Sequence, residues 1–222
     1  MFADRREAGR KLAKRLAHFR KEQPLVLALP RGGAPIGYEV AKALDAELDI
    51  VIARKIGTPG QPELALGAIV DGEHPEVVIN DDVMRAVSPS PAFLEREKQS
   101  LLREIARREK VYRAGRKKPA VAGRTVIVVD DGIATGATVR AALYALRRAG
   151  PKRLVLATPV APADTVAVLA QDADEVICLE TPEPFYAISL HYGDFPQLDD
   201  AEVTEILAQS WAARARKAAA SS

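Results

Sequence analysis

The strongest chemical signal in the chain is a pair of acids followed by small and hydroxylated residues: Val126-Ile127-Val128-Val129-Asp130-Asp131-Gly132-Ile133-Ala134-Thr135-Gly136-Ala137-Thr138. The four apolar residues read as a buried strand, and a helical run follows the string. In open α/β sheets, ligands bind beyond the carboxyl ends of the strands. A turn at that place exposes backbone N–H groups at a helix N-terminus, where the helix dipole favours a phosphate dianion. Thr135 and Thr138 add hydroxyl donors, and Gly132 and Gly136 let the backbone close on the anion. Two adjacent carboxylates beside a sugar phosphate suit a cis-diol, whose hydroxyls donate to them. The string is no Walker A loop, because no Gly-Lys-Ser/Thr closes it, and it lacks the Gly-x-Gly-x-x-Gly of a dinucleotide fingerprint.

Two basic strings stand at comparable places. Arg31-Gly32-Gly33 follows the apolar run Leu25–Leu29 and Pro30, giving a cation and close backbone approach; alone it serves equally well as a plain turn. Arg54-Lys55 ends the apolar run Ile50–Ala53. After it, Gly57, Gly60 and Gly67 alternate with Pro59 and Pro62, a pattern of hinges around a stiff middle that suits a lid or an ordinary surface loop. His18, His74 and His191 fall in three unrelated contexts and read as surface or packing residues, and no nucleophile–His–acid set is present.

The elements that must position these residues are short Val/Ile/Leu runs at Leu25–Leu29, Ile50–Ala53, Leu66–Val70, Val77–Ile79, Val126–Val129, Leu154–Thr158 and Val176–Leu179. Most do not alternate, which marks strands buried on both faces. Helix-length segments, Pro35–Leu44, Ala137–Ala149 and Ala163–Gln171, lie between several of them. Strand–helix–strand alternation predicts a parallel α/β sheet with right-handed crossovers. Ala8, Leu12, Leu16 and Phe19 recur at helical spacing and predict an amphipathic helix over 4–20 that packs on the domain. Residues 89–118 form a helical insert capped by Ser90 with Pro91 at its first position, and its basic run from Arg103 to Lys118 reads as a solvated face and linker. A turn-rich stretch, Thr181–Asp200, carries Phe185, Tyr186, Tyr192 and Phe195, and a last helix is expected over Glu202–Lys217.

Composition narrows the class. With 48% hydrophobic and 28% charged residues, the 222-residue chain is not disordered. Thirty-two basic against 30 acidic residues leave +2, which does not suggest a nucleic-acid coat. The single cysteine, Cys178, excludes an internal disulfide and a cysteine-rich zinc site, and its apolar surroundings predict a buried strand residue. No run approaches the 18 apolar residues of a membrane span, and the N-terminal stretch has no apolar signal region, so a cytoplasmic protein without a membrane partner is expected.

The Val126–Thr138 string resembles the phosphoribosyl-pyrophosphate (PRPP) binding motif of type I phosphoribosyltransferases. The likeness runs from about residue 24 to 200. It is strongest for a bacterial group of unassigned substrate, in which Pro-Arg-Gly-Gly, Arg-Lys-Ile-Gly and Asp-Asp-Gly-x-Ala-Thr-Gly strings occur in this order. The resemblance implies an α/β, parallel-sheet phosphoribosyltransferase fold with an N-terminal helix, a helical insert and a C-terminal hood. It implies one domain over 1–222, with a core of about 24–179 and the hood and last helix over about 180–217. By it, Gly132, Ile133, Ala134, Thr135, Gly136, Ala137 and Thr138 would hold the 5′-phosphate, and Asp130 and Asp131 the ribose hydroxyls. Arg31, Gly32, Gly33, Arg54 and Lys55 would hold pyrophosphate, with a cis peptide between Pro30 and Arg31. The lid, about Gly57–Leu66, would be mobile and would deliver Glu63 as a general base. Phe185 and Tyr186 would meet the acceptor, and Asp194, after a shift in alignment, would meet a metal. The implied reaction moves ribose 5-phosphate from PRPP to a nitrogen nucleophile such as a nucleobase, with Mg²⁺ as cofactor and a homodimer as one assembly open to it. Ala134 stands where 6-oxopurine enzymes carry an acid, which weakens that acceptor class. A regulator that senses PRPP or nucleotides on the same fold, and a scaffold with a dead site, are the alternatives.

Overall fold

Strands that carry Val, Ile and Leu on both faces can only sit between two covering layers, and that requirement organises the molecule. The computed structural model describes residues 1–72 and 75–220, with the backbone alone at Pro62 and Glu63. His74 and the Glu63 side chain lie outside the described residues. In chain order the elements are α1 (Arg5–Arg15), a 3₁₀ turn (Ala17–Glu22), β1 (Leu25–Ala28), α2 (Gly33–Leu44), β2 (Glu47–Ile50), β3 (Ala53–Thr58), β4 (Gln61–Val70), β5 (Glu76–Ile79), α3 (Asp81–Val87) and α4 (Pro91–Arg113). There follow β6 (Thr125–Val129), α5 (Ala137–Arg148), β7 (Arg153–Val160), α6 (Ala163–Leu169), β8 (Glu175–Glu180), a second 3₁₀ turn (Ile188–His191) and α7 (Asp200–Ala220).

Five strands form a parallel sheet in the order β2-β1-β6-β7-β8. Side chains alternate between its faces. Val26, Ala28, Ile127 and Val129 join one buried cluster with α1, α2 and α7, while Leu25, Leu27, Val126 and Val128 join another with α5 and α6. The parallel α/β sheet, N-terminal helix, helical insert and C-terminal hood foreseen from the sequence are all present. The chain reverses direction across the sheet between β1 and β6, which makes their carboxyl ends the switch point where open α/β sheets bind ligands.

Three of the seven apolar runs are placed differently: Ile50–Ala53 is the junction between β2 and β3 rather than a strand of its own. Leu66–Val70 and Val77–Ile79 fall in a separate antiparallel sheet, β3-β4-β5, which corrects their assignment to the parallel sheet. The lid expected over Gly57–Leu66 is a hairpin rather than a loop, turning at Pro59-Gly60, where Gly60 has φ +76° as a Pro-Gly turn requires at its third position. The Thr58 hydroxyl donates to the Gln61 carbonyl at 2.8 Å across this turn. Nor does the segment lack apolar anchors, since Ile56 and Leu66 are fully buried at its base.

α4 begins as read: the Ser90 hydroxyl accepts from the Phe93 N–H at 3.2 Å, with Pro91 in the first turn. Its basic run is not simply a solvated face, because Arg108 and Arg113 are buried. Arg113 reaches Asp49 of β2 at 3.1 Å, Asp71 just beyond β4 at 3.0 Å and the Ile50 carbonyl at 2.9 Å. Lys118 completes the group on Asp71 at 2.9 Å. Burial pushes the Asp49 carboxyl up, and the Arg113 charge opposes it. This cluster rivets the antiparallel sheet and the insert to the core. We expect Arg113→Met to cost about 3–5 kcal/mol of stability, since it strands two buried carboxylates. Arg113→Lys should recover only part, as one ammonium cannot reach acceptors arranged for a guanidinium. Denaturant unfolding of both variants measures this.

Candidate active site

β1 and β6 are neighbours in register, Ala28 opposite Val129, so the chains leaving them run side by side. The Leu29 N–H donates to the Val129 carbonyl at 2.9 Å and extends the pairing beyond the strands. The peptide between Pro30 and Arg31 is cis, as the resemblance implied. Gly32 and Gly33 then pass so close to the acid loop that neither has room for a side chain. A Cβ on Gly32 would fall on the Asp131 carboxylate, and one on Gly33 would lie 2.7 Å from the Val129 carbonyl oxygen. The two glycines therefore let a cationic loop and an acidic loop share one edge.

The acids differ sharply. Asp131 is buried, and its Oδ2 accepts from Nε of Arg5 at 2.7 Å. Arg5 lies in the first turn of α1 with its guanidinium 3.7 Å above the Phe195 ring, and its Nη1 donates to the Pro196 carbonyl at 2.7 Å. The Tyr192 hydroxyl donates to the Asp131 carbonyl oxygen. Asp130 is half-buried, and among the described residues its carboxylate accepts only the Asp131 N–H, at 2.9 Å. Burial, and then the charge of Asp131, push Asp130 well above the usual carboxylate range; burial also raises Asp131, against the pull of Arg5. The reading that gives both acids to the ribose hydroxyls thus meets a half-buried Asp130 and an Asp131 already buried and paired with Arg5.

Beyond them, Gly132 lies directly under Ile188 of the hood, where a Cβ would collide with that side chain. Ile133 is an anchor: its side chain is buried and its N–H donates to the Val160 carbonyl at 2.9 Å. Ala134 and Thr135 are exposed, and the Thr165 hydroxyl of α6 holds the Ala134 carbonyl at 2.9 Å. Gly136, at φ +74°, starts α5 without a side-chain cap, so the first-turn N–H groups of Ala137 and Thr138 point out of the helix with no capping side chain.

Arg31, Arg54 and Lys55 are each half-buried. Arg31 lies just past the carboxyl end of β1, whereas Arg54 and Lys55 are not at the end of a parallel strand as read from the sequence but stand inside β3, opposite Ile69 and Ala68 of β4. In the hood, Phe185 stacks on His191 with centroids 5.5 Å apart, and Tyr186 beside it is 78% exposed. Asp194 is exposed, and its N–H donates to the Ala3 carbonyl at 2.8 Å. No group of three His, Cys, Asp or Glu among the described residues could hold a metal ion. Cys178 is half-buried in β8 with its thiol on the Glu180 carbonyl, and burial raises its pKa.

The family model for the phosphoribosyl transferase domain matches residues 4–191. The chain belongs to the phosphoribosyl transferase family. Two Mycobacterium tuberculosis proteins, from strains CDC 1551 and H37Rv, whose names assign them provisionally to the phosphoribosyl transferases, are 47% identical to it over 207 residues. That match covers 93% of this chain and 46% of theirs, so the chain spans less than half the length of these relatives. The crystal structure of TT1426 from Thermus thermophilus superposes with a TM-score of 0.81 at 43% identity, over 93% of this chain and 97% of that one.

In this member of the phosphoribosyl transferase family the N-terminal helix and the hood are one construction. The Phe2 N–H donates to the His191 carbonyl at 2.8 Å and the Gly193 N–H returns to the Phe2 carbonyl at 2.7 Å. Phe2, Tyr192 and Phe195 form a chain of ring contacts at 5.5 and 4.9 Å. Sequence reasoning missed Arg5, Tyr192 and Ile188 as neighbours of the acids. Only Arg5 carried a signal: it is a basic residue in the first turn of a helix, where the macrodipole disfavours it. We expect Asp131→Asn to lower the melting temperature by on the order of 10 °C, because it leaves Arg5 buried without its counter-charge. Asp130→Asn should leave the melting temperature unchanged or raise it. Differential scanning calorimetry of the two variants separates these outcomes.

Proposed function

We propose that this phosphoribosyl transferase moves the ribose 5-phosphate unit of PRPP onto a nitrogen nucleophile, a nucleobase by class, with pyrophosphate leaving. The observation that carries this reading is the contact of the two loops at the switch point. Gly32 abuts the Asp131 carboxylate, so an uncapped helix start, a half-buried acid and a cationic loop line one edge.

In this reading the 5′-phosphate sits on the uncapped start of α5, held by the N–H groups of residues 134–138 and the hydroxyls of Thr135 and Thr138. Ile133 and Gly132 shape the loop from below. Asp130 accepts from the ribose hydroxyls; Asp131, already paired with Arg5, fixes the loop that presents it. The bond from the anomeric carbon to the pyrophosphate oxygen breaks as the nitrogen's lone pair forms the new one. Positive charge grows on the ribose ring, and a preorganised carboxylate favours it. Arg31, Arg54 and Lys55, with the backbone of Gly32 and Gly33, take the charge that collects on pyrophosphate. Phe185 and Tyr186 flank the acceptor, and Glu63 is the candidate for receiving the nucleophile's proton. The β3–β4 hairpin serves as the lid, and closure excludes the water that would hydrolyse PRPP.

The donor set fits Mg²⁺. One free carboxylate, Asp130, and no protein cage among the described residues suit an ion held mainly by the substrate's own oxygens. When bound, it would neutralise charge on the pyrophosphate. Asp194 is set aside from this site because its only described contact is with the N-terminal segment. The alternative of a PRPP- or nucleotide-sensing regulator draws no support from the basic run 103–118, since Arg108, Arg113 and Lys118 of that run are engaged inside the fold. Among the described residues no helix is long and apolar enough to cross a membrane. Transfer to a nucleobase would make this an enzyme of nucleotide salvage, and the cytoplasm is the place proposed for it.

The test is pyrophosphate release from PRPP and Mg²⁺ across a panel of nucleobases. Release with at least one base is expected, and none with any would overturn the reading. Asp130→Asn should weaken PRPP about 10- to 100-fold, since it removes a charge-assisted hydrogen bond. It should reduce turnover further, because the charge it stabilises grows along the reaction. Glu63→Gln should lower turnover with the true acceptor while leaving PRPP affinity in place; unchanged turnover removes Glu63 from the mechanism.

A further inference from the structure

The Gly132–Thr138 loop is held from behind by a residue that lies outside the motif. Two successive residues of the loop are tied to two different elements. The Ile133 N–H donates to the Val160 carbonyl at the end of β7 at 2.9 Å, and the Ala134 carbonyl accepts from the Thr165 hydroxyl of α6 at 2.9 Å. The methyl group of the same threonine faces Gly136, where an added Cβ would lie 3.1 Å from Thr165 Cγ2. One side chain thus touches the loop at both ends of the stretch from Ala134 to Gly136. The helix that carries it is itself fixed. Leu169, one turn beyond Thr165, is buried in the same cluster as Ile133 and Val139. Asp172, just past the helix, accepts from Nε of Arg140 on α5 at 2.9 Å.

The direction of that hydrogen bond decides which way the loop backbone faces. The Ala134–Thr135 peptide is trans, so its N–H points opposite to its carbonyl. With the carbonyl turned to α6, the N–H of the exposed Thr135 is turned away from it, and among the described residues it makes no hydrogen bond. Turned over, the same peptide would offer a carbonyl oxygen instead, a partial negative charge that an anion avoids. Gly136 at φ +74° puts little restraint on this turn, and Ala134 has no polar side chain to oppose it. The restraint comes from Thr165.

We propose that Thr165 is a positioning residue for phosphate binding: its hydroxyl fixes the Ala134–Thr135 peptide with the N–H outward, as a donor to the 5′-phosphate of the ribose substrate. This rests on the reading of Gly132–Thr138 as the phosphate loop. A donor oriented in advance binds more tightly, because less ordering is left to the ligand. The role needs a hydroxyl at this place and no charge, and it gives α6 a part in binding that it exerts through the loop.

The experiment is calorimetric titration of the full chain with ribose 5-phosphate and, separately, with pyrophosphate, both in Mg²⁺. Thr165→Val removes the hydroxyl and keeps the methyl contact. It should weaken ribose 5-phosphate about 3- to 10-fold and leave pyrophosphate unchanged. Its melting temperature should fall by no more than about 4 °C. Thr165→Ser keeps the hydroxyl and should bind ribose 5-phosphate as the wild type does. Wild-type affinity for ribose 5-phosphate in Thr165→Val overturns the proposal. So does an equal loss for both ligands, which marks a structural role, or an equal loss in Thr165→Ser, which traces the effect to packing. A wild-type chain that ignores ribose 5-phosphate overturns it too. With a base that supports turnover, Thr165→Val should raise KM for PRPP by the same factor and keep kcat, since the contact is alike in ground and transition states. An unchanged KM ends the positioning role and leaves the transfer reading in place. A chain that binds ribose 5-phosphate through the Thr165 hydroxyl, yet releases pyrophosphate from PRPP with no base, upholds the role and sinks the transfer reading instead.

Discussion

Asp131 cannot stand in the interior as a lone charge, and Arg5 is the group that lets it stay there. Arg5 is itself held from three sides: by the carboxylate, by the Phe195 ring and by the Pro196 carbonyl. Through that one guanidinium the first helix, the acid loop and the hood become a single object. The position of Asp130 follows from it, since the backbone between the acids is fixed by Tyr192 on the Asp131 carbonyl and by the Asp131 N–H on Asp130. So does the passage of the Gly32 loop, which has only the space that the seated Asp131 carboxylate leaves. One acid of the pair thus serves as foundation, and its neighbour stands half-buried beside it with only the Asp131 N–H on its carboxylate among the described residues.

A second ionic centre does similar work at the far side of the site. Arg113 gathers Asp49 from the parallel sheet and Asp71 from the antiparallel one. The hairpin therefore leaves from a base pinned by this cluster and by the buried Ile56 and Leu66. The insert helix that carries Arg113 also carries Arg108 one turn and a residue earlier, so the clamp that fixes the hairpin fixes that arginine in relation to Arg54.

Much of this was legible in the residues. The apolar runs at β1, β6 and β7 announced a sheet buried on both faces because their lack of alternation places Val, Ile or Leu on each side. The Ser90-Pro91 cap announced α4, and the acids with their small-residue loop announced the ligand edge. What was hidden depended on contacts across long separations. Leu66–Val70 carries the composition of a core strand, yet its partners are β3 and β5, and no local pattern states whom a strand will pair with. Arg108 and Arg113 look like their exposed neighbours in sequence, because their burial is decided by Glu104, Asp49 and Asp71. Arg5 reads as one basic residue among several in the first helix until Asp131 and Phe195 are brought to it.

The joint between the first helix and the hood also says something about time. Arg5 and Asp131 are 126 residues apart in the chain, and the Arg5 contact with Pro196 spans 191. Loop closure over such distances is the slow part of folding, and contacts of this kind reward the chain only after the entropy of closing them has been met. On the ribosome, α1 meets its main packing partner α2 early, but the hood partners of Phe2 and Arg5 are missing until Tyr192, Phe195 and Pro196 have been made. A chain made only as far as the loop after β6 therefore holds the Arg31 loop and both acids, but Asp131 becomes fully seated only when Phe195 and Pro196 arrive to hold Arg5.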